Sequence, residues 1–162
     1  MSALIERAPR ETEIFAFGRP QFDLALRSTV LKTLRAVRCD VIVNAAAYTA
    51  VDKAESEPEV AMRVNADGAG HVAQVAAELG VPLVHLSTDY VFDGMLDRPY
   101  REDDTPNPTC AYGRSKLAGE QRISALHENH AVLRTAWLYS PFGANFVKKE
   151  GAITDGDPRE NR

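Results

Sequence analysis

A doubly wound α/β fold, a parallel sheet covered by helices, is what this chain of 162 residues predicts. Three observations carry the prediction. Short apolar runs alternate along the chain with segments of helical period, and turn residues bound those runs. The composition, 44% apolar and 26% charged, is that of an ordinary globular domain. Strands joined through helices cross over right-handed, which sets neighbouring strands parallel.

The elements follow in order. Thr12–Phe17 (TEIFAF) alternates polar and apolar residues and stops at Gly18-Arg19-Pro20, so it reads as a strand and a turn. Leu24–Val37 spaces Leu26, Val30, Leu31, Leu34 and Val37 at helical intervals. Asp40–Ala47 (DVIVNAAA) is a continuous apolar run, the pattern of a strand buried on both faces. Asp52 stands where an N-cap would open the next helix, and its neighbouring charges read as structural. Glu55–Asn65 and Asp67–Leu79 read as helices, the second stopped by Gly80 with Pro82 beyond. Pro82–Ser87 is a second buried strand, Tyr112–Leu126 a helix and Ala131–Ala136 the next strand.

Several function classes are excluded. A net charge of −4 argues against a broad nucleic-acid footprint, which shows as a basic face. No run approaches the roughly 18 apolar residues of a membrane span, and MSALIERAPRET contains no apolar signal core. Cys39 and Cys110 stand apart with no CxxC spacing, the usage of a reduced, cytoplasmic protein. His71, His85, His127 and His130 lack ligand spacing and are expected to have no catalytic role.

Ligands of such sheets bind at the carboxyl ends of the strands. The residues in question are Gly18-Arg19, Ala45–Thr49, Ser87–Tyr90 and Thr135–Trp137. The strongest local feature is Tyr112-x-x-x-Lys116, whose i,i+4 spacing puts phenol and ammonium on one helix face. A nearby cation favours phenolate, so such a tyrosine can pass a proton to a substrate oxygen near neutral pH. Thr88 adds a hydroxyl at a strand end that could polarise the same carbonyl. Threonine, tyrosine and lysine together form the constellation of hydride-transferring short-chain reductases, in which a nicotinamide supplies the hydride. Plain structural readings stand beside these. The alanines could merely close a tight strand, Asp89 cap a turn, Trp137 fill a core, and Arg19 be only solvated.

The blocks VNAAAYTAVDKAESEPE, VNADGAG, HLSTDYVFDG, RPYREDDTPNPTCAYGRSKLAGEQ and LRTAWLYSPFGANFVK together resemble the dTDP-4-dehydrorhamnose reductase family, extended short-chain reductases. The resemblance runs from about Thr12 to Val147. It implies a Rossmann-like NAD(P)-binding fold and reduction of the 4-keto group of a dTDP-sugar to dTDP-L-rhamnose. It gives Tyr112 the role of acid, Lys116 that of its support and ribose ligand, and Thr88 that of third triad member. Arg19, Asp23, Leu24, Ala47, Tyr48, Thr49 and Asn65 would join Tyr112 and Lys116 around the cofactor. Thr88, Asp89, Tyr90 and Trp137 would face the sugar. Arg19, with no acid before Asp23, favours NADPH over NADH, since arginine accepts a 2′-phosphate. The resemblance admits Mg²⁺ and a homodimer without placing ligands or an interface.

The sequence also departs from the family. The strand and GxxGxxG loop that open the family's fold have no counterpart here, and Met1–Arg10 reads as the back half of the following helix. The expectation is therefore a partial dinucleotide-binding domain over residues 1–147, lacking the first strand and glycine loop, with weakened cofactor binding. Residues 148–162 (KKEGAITDGDPRENR) turn abruptly polar and read either as a disordered tail or as a change of reading frame. A non-catalytic fragment, or a regulatory or binding subunit descended from these reductases, is the competing expectation.

Overall fold

A computed structural model describes residues 2–138 and 141, and the side chains from Leu4 onward. The described elements are α1 (Ser2–Glu6), α2 (Arg27–Arg35), β1 (Ile42–Asn44), α3 (Val51–Ser56), α4 (Pro58–Met62), α5 (Gly68–Leu79), β2 (Leu83–Thr88), α6 (Ala111–Leu126) and β3 (His130–Thr135). A π-helical turn, Arg63–Asp67, joins α4 to α5, and a 3₁₀ turn, Asp89–Val91, follows β2. Contacts divide the chain into two units: residues 17–134, and residues 1–16 with 135–162. The tail over 148–162 lies outside the described residues. Among the described residues no helix is long and apolar enough to cross a membrane.

In the larger unit the strand order is β1-β2-β3. β1 and β2 pair in parallel, with Ile42 opposite Leu83, Val43 opposite Val84 and Asn44 opposite His85. The helical crossover α3–α5 lies between these two strands in sequence, so the fold is the Rossmann-like α/β arrangement. Val30, Leu31 and Leu34 of α2 pack with Val72, Ala73, Val75 and Ala76 of α5, Ile42, Leu83 and Ile123 in one apolar core. Each fully buried Val or Leu contributes roughly 1.5–3 kcal/mol. Arg35 doubly bonds Glu78 at 2.8 and 2.9 Å along the outer edge of the α2–α5 contact.

The structure corrects four expectations. Thr12–Phe17 forms no strand, since a strand exists only by pairing and this segment has no ladder partner in the described structure. Asp40–Ala47 shortens to Ile42–Asn44 and is buried on one face only, with Val41 and Val43 exposed. α5 packs on β1 and α6 on β2, which leaves the outward residues uncovered. The helix expected from Leu24 begins at Arg27, because Asp23 and Thr29 close a turn first. There the Thr29 hydroxyl bonds both the amide and the carbonyl of Asp23, and the Asp23 carboxylate accepts from the Ala25 amide. Asp52 is not an N-cap; α3 starts one residue earlier, after Ala50. α5 stops at Gly80 with φ of 69°, as predicted.

Candidate active site

Four polar positions build the site from the sheet outward. β2 ends in Thr88, whose hydroxyl accepts from the Tyr90 amide at 3.2 Å and donates to Asp89 Oδ1 at 3.1 Å. This ST turn re-aims the chain at the strand's carboxyl end. α6 then brings the Tyr112 phenol back over it, within electrostatic reach of the Thr88 hydroxyl and edge-on to Tyr90 at 5.7 Å between ring centroids. That approach requires Gly113, since a Cβ there would run into the Tyr90 carbonyl. Thr88, Asp89, Tyr90 and Tyr112 are thus brought together.

The start of α6 is pinned from outside the helix. The Glu55 carboxylate of α3 accepts from the Ala111 amide at 2.6 Å, and Cys110 Sγ accepts from the Gly113 amide at 3.3 Å. Both satisfy amides that a helix start leaves without partners, and the anion also suits the positive end of the helix dipole. Glu55 had read only as a helix charge. Its role depends on a contact 56 residues away in sequence, which local pattern does not report.

Asn65 sits in the π turn, where the extra residue swings its side chain inward. Its Oδ1 accepts from the Tyr48 amide at 2.8 Å, and its Nδ2 donates to the Tyr48 carbonyl at 3.0 Å and to Ser115 Oγ at 2.9 Å. Ser115 in turn donates to the Tyr112 carbonyl at 2.7 Å. One buried amide therefore ties the loop after β1 to the helix that carries the tyrosine. Tyr48 also packs on the Ala54, Ala61, Ala111 and Tyr112 cluster. Gly119 permits the close crossing, because a Cβ there would strike the Asn65 carbonyl.

Lys116 is 1% exposed. Its Nζ donates to the Leu86 carbonyl at 2.6 Å and lies 3.1 Å from His85 Nε2. Burial lowers its pKa to about 8, against a smaller opposing pull from Glu120. The help expected from an ammonium beside the phenol is not what governs Tyr112. Burial pushes the phenol above its usual value, and the nearby Thr88 hydroxyl offsets this only in part. The physical reason is orientation: i,i+4 spacing puts both residues on one face, but the amine turns inward to β2.

The other expected positions are placed as follows. Ala47 is half-buried and Thr49 exposed in the loop after β1. Arg19 is exposed in the turn after Gly18, closed by the Phe22 amide on the Gly18 carbonyl at 3.0 Å. The side chain of Leu24 is part of the core, and Asp23 spends one carboxylate oxygen on its own turn. Trp137 follows β3 in the other unit, 64% exposed with φ of 49°. Asn44 and His85 were missed. Their signal was available, since each is a polar residue in an otherwise apolar strand and so needs a buried partner.

The profile of the family described as RmlD substrate binding domain matches residues 2–152. A dTDP-4-dehydrorhamnose reductase of Sinorhizobium fredii is 53% identical over 98% of this chain and 54% of its own length. That of Salmonella typhimurium is 50% identical over 74% of this chain and 40% of its own length. The crystal structure of dTDP-4-dehydrorhamnose reductase from Bacillus anthracis in complex with NADP superposes with a TM-score of 0.88 and 41% identity, covering 94% of this chain and 54% of that one. The chain thus spans about half the length of the relatives it matches. With a parallel Rossmann-like sheet, a strand-end threonine beside a helix-borne tyrosine and a buried lysine one turn on, this chain belongs to the dTDP-4-dehydrorhamnose reductase family.

Proposed function

We propose that this chain carries the cofactor-binding and proton-donating part of an NADPH-dependent reductase. Its reaction is reduction of the 4-keto group of dTDP-4-dehydro-6-deoxy-L-mannose to dTDP-L-rhamnose, in the cytoplasm. The observation that carries the reading is the Tyr112 phenol brought beside the Thr88 hydroxyl at the carboxyl end of β2, with Lys116 buried one turn on. The relatives' names and the NADP in the Bacillus anthracis structure support the choice of substrate and cofactor.

NADPH, when bound, supplies the hydride. The larger unit, residues 17–134, would hold it. Ala45–Ala47 are small enough for a flat ligand to lie against the backbone after β1, and Asn65 holds the Tyr48 peptide rigid beside them. Arg19, exposed in its turn, would meet a 2′-phosphate. Asp23, Leu24 and Thr49 would complete the cofactor side, and Asp89 and Tyr90 the sugar side. Tyr112 gives its proton to the oxygen that becomes the 4-hydroxyl, and Thr88 holds that oxygen by a second hydrogen bond. A phenol kept neutral by burial is the protonation state this step needs. Mg²⁺ does not fit as well: among the described residues no group of three or more His, Cys, Asp or Glu side chains could hold a metal.

The test is NADPH oxidation with the dTDP-4-keto sugar, together with NADPH titration by fluorescence. Tyr112→Phe should slow turnover about 10²–10⁴-fold, far more than it weakens NADPH binding. Equal turnover by Tyr112→Phe and the parent protein would overturn the assignment.

A further inference from the structure

Lys116 meets an unusual pair of neighbours. Asn44 and His85 lie opposite each other in the β1–β2 register, both buried, with Asn44 Nδ2 3.1 Å from His85 Nδ1. The orientation of the Asn44 amide is set by its other end, where Oδ1 accepts from the Ala46 amide at 3.3 Å. Nδ2 is therefore the donor towards the ring, and His85 Nδ1 must accept. A neutral imidazole carries one proton, so that proton stands on Nε2. Nε2 faces Lys116 Nζ at 3.1 Å. An ammonium has only donors and would oppose an Nε2–H, whereas an amine offers it a lone pair and still donates to the Leu86 carbonyl.

We propose that Asn44 and His85 are positioning residues that weaken the proton affinity of Lys116 in the free protein, by fixing the imidazole in its Nε2–H tautomer. The hydrogen-bond chain runs Ala46 amide, Asn44, His85, Lys116, Leu86 carbonyl, and each donor meets one acceptor only when Lys116 has given up its extra proton, so the chain favours that loss. The titratable neighbours of the amine agree with it. His85 from β2 is kept neutral by burial, and Tyr112 one turn earlier on α6 is a neutral phenol. Glu120, one turn later, is bonded by Arg134 of β3 and by the Ser87 hydroxyl. The consequence for catalysis, a lysine able to exchange a proton near neutral pH, rests on the reductase reading. The hydrogen-bond chain itself does not.

NMR of the folded full chain tests it without substrate or cofactor, so failure of the reductase reading would leave the outcome intact. In the parent protein His85 should show a protonated Nε2 and a bare Nδ1 at alkaline pH, and Lys116 should titrate near pH 8, below ordinary lysines. Asn44→Asp supplies a carboxylate that prefers an Nδ1–H. It should reverse the tautomer and raise the proton affinity of Lys116 by about tenfold or more, roughly one pKa unit. A new charge alone could also raise it, so the same substitution is made in a His85→Leu background. There the shift should shrink to less than half. An Nδ1–H tautomer in the parent protein, an ordinary lysine titration, or an undiminished shift without the imidazole would each overturn the proposal. The first two are read on the unmodified chain, whatever the variants do.

Discussion

Removing the Arg134 guanidinium probes the most concentrated buried charge in the larger unit. Its Nη2 lies 2.7 Å from Glu120 Oε2, and its Nε lies 3.2 Å from each carboxylate oxygen, a forked pairing that ties β3 to α6. The Glu120 side chain is only 8% exposed against 23% for Arg134, and the Ser87 hydroxyl also donates to it. The guanidinium further lies 5.0 Å over the Phe92 ring, which is stacked on Tyr100 at 4.2 Å. Arg134→Leu strands Glu120 in a site that water scarcely reaches. Loss of one partner of a buried pair costs about 3–5 kcal/mol, and the partial exposure of Arg134 sets the expectation near 3. That corresponds to a fall in Tm of roughly 6–12 °C for a chain of this size. Urea unfolding followed by circular dichroism measures it, with an unchanged m value as the sign that only stability moved. Arg134→Leu combined with Glu120→Met removes the stranded charge as well and should recover about 2 kcal/mol of the loss. A single-variant cost under about 1 kcal/mol, the worth of an exposed pair, would refute the reasoning. So would two single-variant losses that simply add.

Two further outcomes follow from the same structure. Gly113→Ala places a methyl against the Tyr90 carbonyl and within 3.1 Å of Pro108 Cβ, so α6 or the Thr88–Val91 turn must move. A loss of about 1–3 kcal/mol in urea unfolding is expected, and an unchanged midpoint would show the contact to be slack. His85 gives the acid limb of stability. Burial first, and the Lys116 charge second, lower its pKa from 6.5 to about 3. The unfolded chain therefore takes up a proton below pH 6.5 that the native state refuses until about pH 3. Stability is complete above the upper value and falls by about 1.4 kcal/mol per pH unit between the two. His85→Leu should flatten that limb, and an identical slope in the variant would assign it to other groups.

Much of the site could be read along the chain because its signals are local. Tyr112 and Lys116 share a helix face by spacing alone, and Thr88 lies where an apolar run ends. Gly80 stops α5 as a residue with φ of 69° should. Other features depend on partners far away in sequence. Glu55 caps a helix across 56 residues, and Asn65 reaches Ser115 across 50. The π turn that delivers Asn65 continues two helices without interrupting their apolar period, so periodicity passes over it. Thr12–Phe17 shows the opposite error, a strand pattern with no ladder to join.

The sequence by itself determined the α/β alternation, the strand-end position of Thr88 and the shared helix face of Tyr112 and Lys116, since these follow from periodicity, turn residues and i,i+4 geometry. Only the tertiary structure decided where the Lys116 amine points and what protonation state its neighbours favour. The β1–β2 register sets Asn44 against His85, and α6 then buries Lys116 against the imidazole. Helix spacing names the face a side chain lies on, whereas desolvation and the donors and acceptors met there set its charge.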